Sequence, residues 1–282
     1  MEIKNVTVIG AGTMGNGIAH TFAQFSYNVL LIDVKKEFIE KGLKNINSNL
    51  DRQIKKGTIN EPQKHIILGN IKTSTELKDS LKSELIIEAA TENEKIKKEI
   101  FSALGNECKE ETILATNTSS ISITEIAAVT KHPEKVIGMH FMNPVPMMKL
   151  VEIIRGYSTS QDTFEKIKNI AVKLDKTPVE VQDYPGFIAN RILMPMINEA
   201  IYCVMEGVAT PDAIDTVMKL GMNHPMGPLA LADFIGLDVC LSIMEVLHNG
   251  LGDSKYRPCP LLKKMVAAGY LGRKSSKGFF SY

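Results

Sequence analysis

The chain of 282 residues is too long for one compact hydrophobic core, so its length predicts two domains. Apolar residues make up 44% of the chain and charged residues 23%, a balance typical of globular proteins rather than disordered ones. The formal net charge of +1 gives no reason to expect a nucleic acid or an anionic membrane as partner.

Short β-branched runs alternate with amphipathic stretches in the first part of the chain. The predicted strands are residues 6–9, 29–32, 85–90, 112–115, 136–140, 150–154 and 179–181. The predicted helices between them are residues 14–24, 36–56, 93–104, 123–129 and 163–174. This alternation predicts a parallel, doubly wound sheet, and the short links between the last strands leave room for an antiparallel pair.

The pattern becomes purely helical after residues 183–186. Apolar residues keep a spacing of 3.6 over residues 188–204, where Pro195 predicts a kink. Further helices are predicted at residues 211–221, 229–247 and 260–268. We therefore expect an α/β domain at residues 1–184 and an all-α domain at residues 185–282.

The four cysteines form no CxxC pair and no metal-ligand spacing, so no metal site is expected and the thiols fit a reducing cytosol. Residues 1–10 lead directly into an apolar strand and a glycine loop, which indicates neither a signal peptide nor a transit peptide. No apolar run is long enough to cross a bilayer. These features predict a cytoplasmic protein without a membrane partner.

A GxGxxG motif at residues 10–15 follows the first predicted strand and opens the first helix, which is the context of a Rossmann-type dinucleotide site. Asp33 ends the second strand, where a carboxylate can bind ribose hydroxyls and repel a 2′-phosphate. The motif thus favours NAD over NADP, although Lys35 and Lys36 weaken that preference. A glycine turn beside a solvated aspartate is the alternative. The candidate cofactor-binding residues are Gly10, Gly12, Thr13, Met14, Gly15 and Asp33.

A histidine and a glutamate stand on two neighbouring predicted strands. His140 ends one strand, where the ligand crevice of an open α/β sheet lies. Glu152 interrupts an apolar strand, and an acid buried in such a run needs a partner. Together they suit a dehydrogenase, because an imidazole can exchange a hydroxyl proton while a carboxylate fixes its tautomer. An ordinary strand-end histidine and a solvent-facing glutamate remain the alternative.

Polar side chains at residues 117–120 follow another predicted strand and could polarise a carbonyl or contact a nicotinamide. The alternative for Ser119 and its neighbours is an N-cap of the next helix. Asn190 lies in the first turns of the second domain and is either a substrate contact or an ordinary surface residue.

Five segments together resemble the signature of the 3-hydroxyacyl-CoA dehydrogenases. They are residues 117–120, 138–146, 148–152, 185–191 and 224–228. The resemblance spans the whole chain and is strongest to the bacterial, clostridial-type 3-hydroxybutyryl-CoA dehydrogenases of butyrate and butanol fermentation. It implies NAD-dependent interconversion of (S)-3-hydroxybutyryl-CoA and acetoacetyl-CoA, in fermentation or fatty-acid metabolism, by a homodimer formed through the C-terminal helices.

The resemblance also implies roles for single residues. His140 and Glu152 match the catalytic pair, and Ser119 and Asn190 match positions that contact the substrate near its 3-oxygen. The positions around the NAD ribose and nicotinamide are Glu92, Lys97, Ser119 and Asn143.

A basic segment at the end of the second predicted helix is matched to coenzyme A. By resemblance, Lys56 contacts the CoA phosphates and Arg52 assists it. Asn49 stands where some relatives have a serine that touches CoA, so this contact is in doubt. The alternative is a solvated helix end, where cations also stabilise the helix dipole.

Two other functions are weighed against this one. A dehydrogenase of free β-hydroxy acids shares the two-domain plan but relies on a catalytic lysine, and the paired His140 and Glu152 argue against it. A non-catalytic relative, such as a lens crystallin or an NAD-sensing protein, would not need these residues.

Overall fold

A computed structural model describes residues 3–282, which form two compact units: the first ends at Asp183 and the second is Tyr184–Tyr282. The strands are β1 (Asn5–Ile9), β2 (Asn28–Ile32), β3 (Ile71–Ser74), β4 (Leu85–Glu88), β5 (Ile113–Thr116), β6 (Val136–Phe141), β7 (Leu150–Arg155) and β8 (Thr177–Gln182). Helices of the first unit are α1 (Thr13–Gln24), α2 (Lys36–Lys55), α3 (Glu61–Gly69), α4 (Glu94–Glu107), α5 (Ile123–Ala127) and α6 (Gln161–Lys173). Helices of the second unit are α7 (Ala189–Met205), α8 (Pro211–Gly221), α9 (Pro228–Ile235), α10 (Leu237–Leu251) and α11 (Pro260–Ala267). None of the helices within residues 3–282 has the length and apolar character needed to traverse a bilayer.

The strands of the first unit form one eight-stranded sheet in the order β3-β2-β1-β4-β5-β6-β7-β8. The first six follow the doubly wound order of dinucleotide-binding sheets, in which ligands bind at the carboxyl ends of the strands. All neighbouring strands are parallel except β6 and β7, which are antiparallel. The predicted fold class, a doubly wound sheet followed by an all-helical region, is confirmed.

The central strands are apolar and buried, because helices cover the sheet. All residues of β4, β5 and β6 are buried, and α1, α5 and α6 contact the strands directly. Such strands read as continuous apolar runs rather than alternating ones. Each fully buried Val or Leu side chain, such as Val8 or Leu85, contributes roughly 1.5–3 kcal/mol to stability.

Two elements of the first unit are absent from the sequence prediction. α3 begins with a capping box, in which Asn60 accepts from the backbone of Gln63 and the Gln63 side chain accepts from the backbone of Asn60. Pro62 stands in its first turn. This N-x-x-Q pattern with a proline was the available signal. β3 lies at the edge of the sheet and is short and mostly polar, so its pattern is weak.

The second unit has its own core between α7, α9, α10 and α11. Fully buried members are Leu229, Leu237, Cys240, Leu247, Cys259 and Leu262. The predicted single helix 229–247 is wrong: the chain breaks at Gly236, whose φ of 106° ends α9 and starts α10. The Thr210 side chain caps α8, since it accepts from the backbone of Ala213.

Candidate active site

The glycine loop turns sharply between β1 and α1. Gly10 has a φ of +100°, and a Cβ there would lie 2.5 Å from the carbonyl oxygen of Ala89. A Cβ on Gly15 would lie 1.7 Å from the carbonyl oxygen of Gly10. Nothing lies within 4 Å of the corresponding point on Gly12. This exposed backbone precedes the N-terminus of α1 at Thr13, so a phosphate can approach the helix end closely.

Asp33 connects the end of β2 to the glycine loop. Its Oδ2 accepts from the backbone N–H of Ala11 at 2.7 Å, and its Oδ1 accepts from that of Val34 at 2.7 Å. Met14 is half-buried and packs against the core below the loop. The carboxylate is therefore held at the carboxyl edge of the sheet, beside the turn into α1.

Two cavities open next to Asp33. One, of about 300 Å³, is lined by Ala11, Gly12, Thr13, Asp33, Phe38, Lys41 and Asn45. The other, of about 440 Å³, is mostly apolar and is lined among others by Ile9, Ile32, Val34, Leu77, Ala89 and Ile96. A cavity with the polar side chains of Thr13, Asp33 and Lys41 in its lining, beside a mostly apolar cavity, fits a ribose with its phosphates and an adenine ring. The residues of this edge thus fit a dinucleotide such as NAD.

His140 and Glu152 face each other across the antiparallel pair β6 and β7. The Nδ1 of His140 lies 2.7 Å from Oε2 of Glu152. His140 is 9% exposed and Glu152 only 2%. A hydrogen bond between buried groups is strong and directional, so the carboxylate orients the imidazole ring. The structure brings this predicted pair together.

The segment after β5 converges on Glu92. Its Oε1 accepts from the N–H of Ser119 at 2.8 Å, the hydroxyl of Ser119 at 3.0 Å and the hydroxyl of Thr118 at 2.7 Å. Burial raises the pKa of Glu92, but the charge of Lys97 and these hydrogen bonds outweigh it and hold the pKa below its usual value. Asn117 joins this segment to β6, since its Oδ1 accepts from the N–H of Phe141 at 2.9 Å.

Lys97 is buried, with 1% exposure, and bonds to Glu88 at the end of β4. The Nζ of Lys97 lies 2.8 and 2.7 Å from the two carboxylate oxygens of Glu88 and 3.6 Å from Oε2 of Glu92. Thr116 donates to Glu88 at 2.7 Å. Glu88 and Thr116 are absent from the sequence prediction. An acid that ends the apolar run of β4 was the available signal, and the same reasoning did identify Glu152.

Asn143 lies in the connection between β6 and β7, before a cis peptide bond to Pro144. The buried Lys176 donates to the carbonyl oxygens of Val145 at 2.6 Å and Met148 at 2.7 Å. Burial lowers the pKa of Lys176. These two bonds hold the connection that carries Asn143.

The remaining predicted residues lie on other elements of the chain. Lys56 is exposed just after α2, and Arg52, also exposed, donates to Oδ1 of Asn49 at 3.0 Å. Asn190 is buried in the first turn of α7, in the second unit.

The comparisons with known proteins agree with one another. The family model "3-hydroxyacyl-CoA dehydrogenase, NAD binding domain" matches residues 5–184, and "3-hydroxyacyl-CoA dehydrogenase, C-terminal domain" matches residues 186–282. A probable 3-hydroxybutyryl-CoA dehydrogenase of Bacillus subtilis is 59% identical over 100% of this chain and 98% of its own length. A 3-hydroxybutyryl-CoA dehydrogenase of Clostridioides difficile is 52% identical over 98% of this chain and 99% of its own.

A solved structure extends the agreement to three dimensions. The crystal structure of an (S)-3-hydroxybutyryl-CoA dehydrogenase from Ralstonia eutropha is 50% identical, with a TM-score of 0.97 over 100% of this chain and 99% of that one. The resemblance that the sequence motifs indicate is thereby confirmed. The chain belongs to the 3-hydroxyacyl-CoA dehydrogenase family and carries both the NAD-binding and the C-terminal domain of that family.

Proposed function

We propose that the protein interconverts (S)-3-hydroxybutyryl-CoA and acetoacetyl-CoA with NAD as cofactor. The observation that carries the chemistry is the buried pair of His140 and Glu152, 2.7 Å apart on two neighbouring strands of a dinucleotide-binding sheet. The names of the relatives support the substrate, since proteins 52–59% identical to this chain are called 3-hydroxybutyryl-CoA dehydrogenases.

The glycine loop and Asp33 would hold the phosphates and ribose of NAD, and the apolar cavity beside them would hold the adenine. NAD, when bound, supplies the acceptor for the hydride that leaves C3 of the substrate. Glu92, Lys97 and Asn143 would surround the nicotinamide half. The hydrogen bond that Asp33 accepts from Ala11 of the loop supports this placement.

In the oxidation, the Nε2 of His140 would accept the proton of the 3-hydroxyl group, and in the reduction it would return a proton to the 3-oxygen. Glu152 accepts a hydrogen bond from Nδ1 of His140, which fixes the tautomer of the ring and stabilises the imidazolium. Ser119 and Asn190 would contact the substrate near its 3-oxygen, where the amide group of Asn190 can donate a hydrogen bond and so polarise it.

The CoA part of the substrate would bind near the end of α2. Lys56 and Arg52 are exposed there and can bind phosphate groups, while Asn49 already accepts from Arg52. The region 1–184 would bind NAD, and the region 185–282 would bind the acyl chain.

The second region would also pair two copies into a homodimer. Large apolar side chains are exposed on its helices, with Ile192 at 68%, Val217 at 59% and Leu220 at 80%. Exposed apolar groups of this kind favour association with another surface. The dimer would act in the cytoplasm, in butyrate or butanol fermentation or in fatty-acid metabolism.

The deciding experiment follows NADH absorbance with purified protein and acetoacetyl-CoA, and repeats it with NADPH and with free acetoacetate. We expect rapid loss of NADH, slow loss of NADPH and no reaction with the free acid. Turnover of free acetoacetate instead of the thioester would indicate a β-hydroxyacid dehydrogenase. Absence of any turnover, with NADH still bound, would indicate a non-catalytic binding protein.

A further inference from the structure

Glu88, the last residue of β4, is fully buried and has every carboxylate lone-pair direction engaged. Its Oε1 accepts from Nζ of Lys97 at 2.8 Å and the N–H of Ala90 at 2.7 Å. Its Oε2 accepts from Nζ of Lys97 at 2.7 Å and the hydroxyl of Thr116 at 2.7 Å. A buried ion pair contributes little to stability compared with an apolar pair of the same volume. The arrangement therefore calls for an explanation beyond stability.

Lys97 is held in place by Glu88. It is 1% exposed and is the fourth residue of α4, near the positive end of the helix dipole. A buried cation at this place needs a partner of opposite charge. The carboxylate of Glu88 is that partner and fixes the position of the ammonium group.

Two paths lead from Glu88 to Ser119. In the first, Lys97 lies 3.6 Å from Oε2 of Glu92, whose Oε1 accepts from both the N–H and the hydroxyl of Ser119. In the second, Thr116 ends β5 directly before the segment that contains Ser119. Both paths lie within the first unit, and their groups are buried or half-buried except Glu92, whose side chain is 41% exposed.

We propose that Glu88 is a positioning residue of the cofactor site: it holds the ammonium group of Lys97 in place, and Lys97 in turn holds Glu92 against the donors of Ser119. The inference rests on the proposed roles of Glu92, Lys97 and Ser119 around the nicotinamide. Glu88 itself touches neither cofactor nor substrate in this arrangement and acts through Lys97.

The test measures NADH binding by fluorescence titration of the full chain, together with turnover of acetoacetyl-CoA. Glu88→Gln keeps the shape but removes the charge. We expect its NADH affinity to be about tenfold weaker, as for the loss of one hydrogen bond to a charged group. Glu88→Asp, which keeps the charge, should bind NADH more tightly than Glu88→Gln.

A double variant separates positioning from folding. Glu88→Gln leaves a buried cation without its partner and should lower Tm, whereas Glu88→Gln with Lys97→Met removes both charges and should recover Tm. The double variant should still bind NADH weakly. The matched control is Asp233→Asn in the second unit, where a carboxylate 1% exposed accepts from the N–H groups of Phe279 and Phe280. It should lower Tm and leave NADH affinity unchanged.

The outcomes are distinct. NADH affinity of Glu88→Gln within twofold of wild type overturns the inference. If that single variant does not fold, a double variant that binds NADH as tightly as wild type overturns it equally. Wild-type protein that binds NADH but does not reduce acetoacetyl-CoA contradicts the proposed function instead, and the binding titrations still decide the role of Glu88.

Discussion

Acid should destabilise the first unit through His20. This side chain lies in α1 with 0% exposure, and neither of its ring nitrogens has a hydrogen-bond partner among residues 3–282. Burial lowers the pKa of His20 from 6.5 to about 4, because it disfavours the charged imidazolium. Between about pH 4 and 6.5, His20 is therefore neutral in the folded chain and protonated in the unfolded chain.

The pKa difference sets the size of the effect. Below pH 6.5 the unfolded state binds a proton at His20, whereas the folded state binds it only near pH 4. His20 thus leaves the free energy of unfolding unchanged above pH 6.5 and lowers it by about 1.4 kcal/mol per pH unit as the pH decreases towards 4. The loss is roughly 2 kcal/mol at pH 5 and roughly 3 kcal/mol near pH 4.

Thermal unfolding of wild type and His20→Leu at about pH 7.5 and pH 5 measures this loss. Leucine has a similar volume and does not titrate, and all other ionisable groups are common to both proteins. A difference of 2 kcal/mol corresponds to roughly 4–8 °C in Tm for a domain of 150–250 residues. On acidification, the Tm of wild type should therefore fall by roughly 4–8 °C more than the Tm of His20→Leu. An equal fall in both proteins would refute the assignment to His20.

Four other predictions concern the site. His140→Gln should lower kcat about 100- to 10,000-fold with unchanged NADH affinity, and a loss under about tenfold in steady-state assays would remove His140 from acid–base chemistry. Asp33→Gly should lower the NADH-to-NADPH ratio of kcat/KM, and an unchanged ratio would show that Asp33 does not meet the ribose. Gly15→Ala should abolish NADH binding in titrations, because its Cβ would lie 1.7 Å from the carbonyl oxygen of Gly10; tight binding would contradict this. Lys56→Ala should raise KM for acetoacetyl-CoA but not for NADH. A KM for acetoacetyl-CoA equal to that of wild type would place the CoA site elsewhere.

The sequence predicted the central sheet well, for a physical reason. Strands covered by helices on a doubly wound sheet must be apolar along their length, so β1, β4 and β6 stand out as continuous runs. Polar residues at the carboxyl ends of such runs then mark the ligand edge. His140 was predicted in this way, whereas Glu152 was predicted from its place inside an apolar strand. Their contact needs only the antiparallel pairing of β6 and β7.

Contacts between distant segments were harder to predict. Lys97 lies on a helix rich in charge, and its sequence pattern resembles that of solvated lysines, yet it is buried against Glu88. Only the pairing of β4 with β5, which sets Glu88 beside Thr116, reveals this cluster. Gly236 was missed because a single glycine in an apolar helical pattern does not show whether its φ is positive.

The pair of His140 and Glu152 depends on the register of a single hairpin. The two residues are directly opposite each other and 12 positions apart in the chain, so a slip of one residue would turn Glu152 to the other face of the sheet. Closing so short a loop costs little entropy, and we expect this pair to form early in folding. The dinucleotide cavity needs strands such as β1 and β4, which are far apart in sequence, and so completes later. The pair of His140 and Glu152 is thus formed by residues close together in the chain, whereas the cofactor-binding cavity is formed by residues far apart in it.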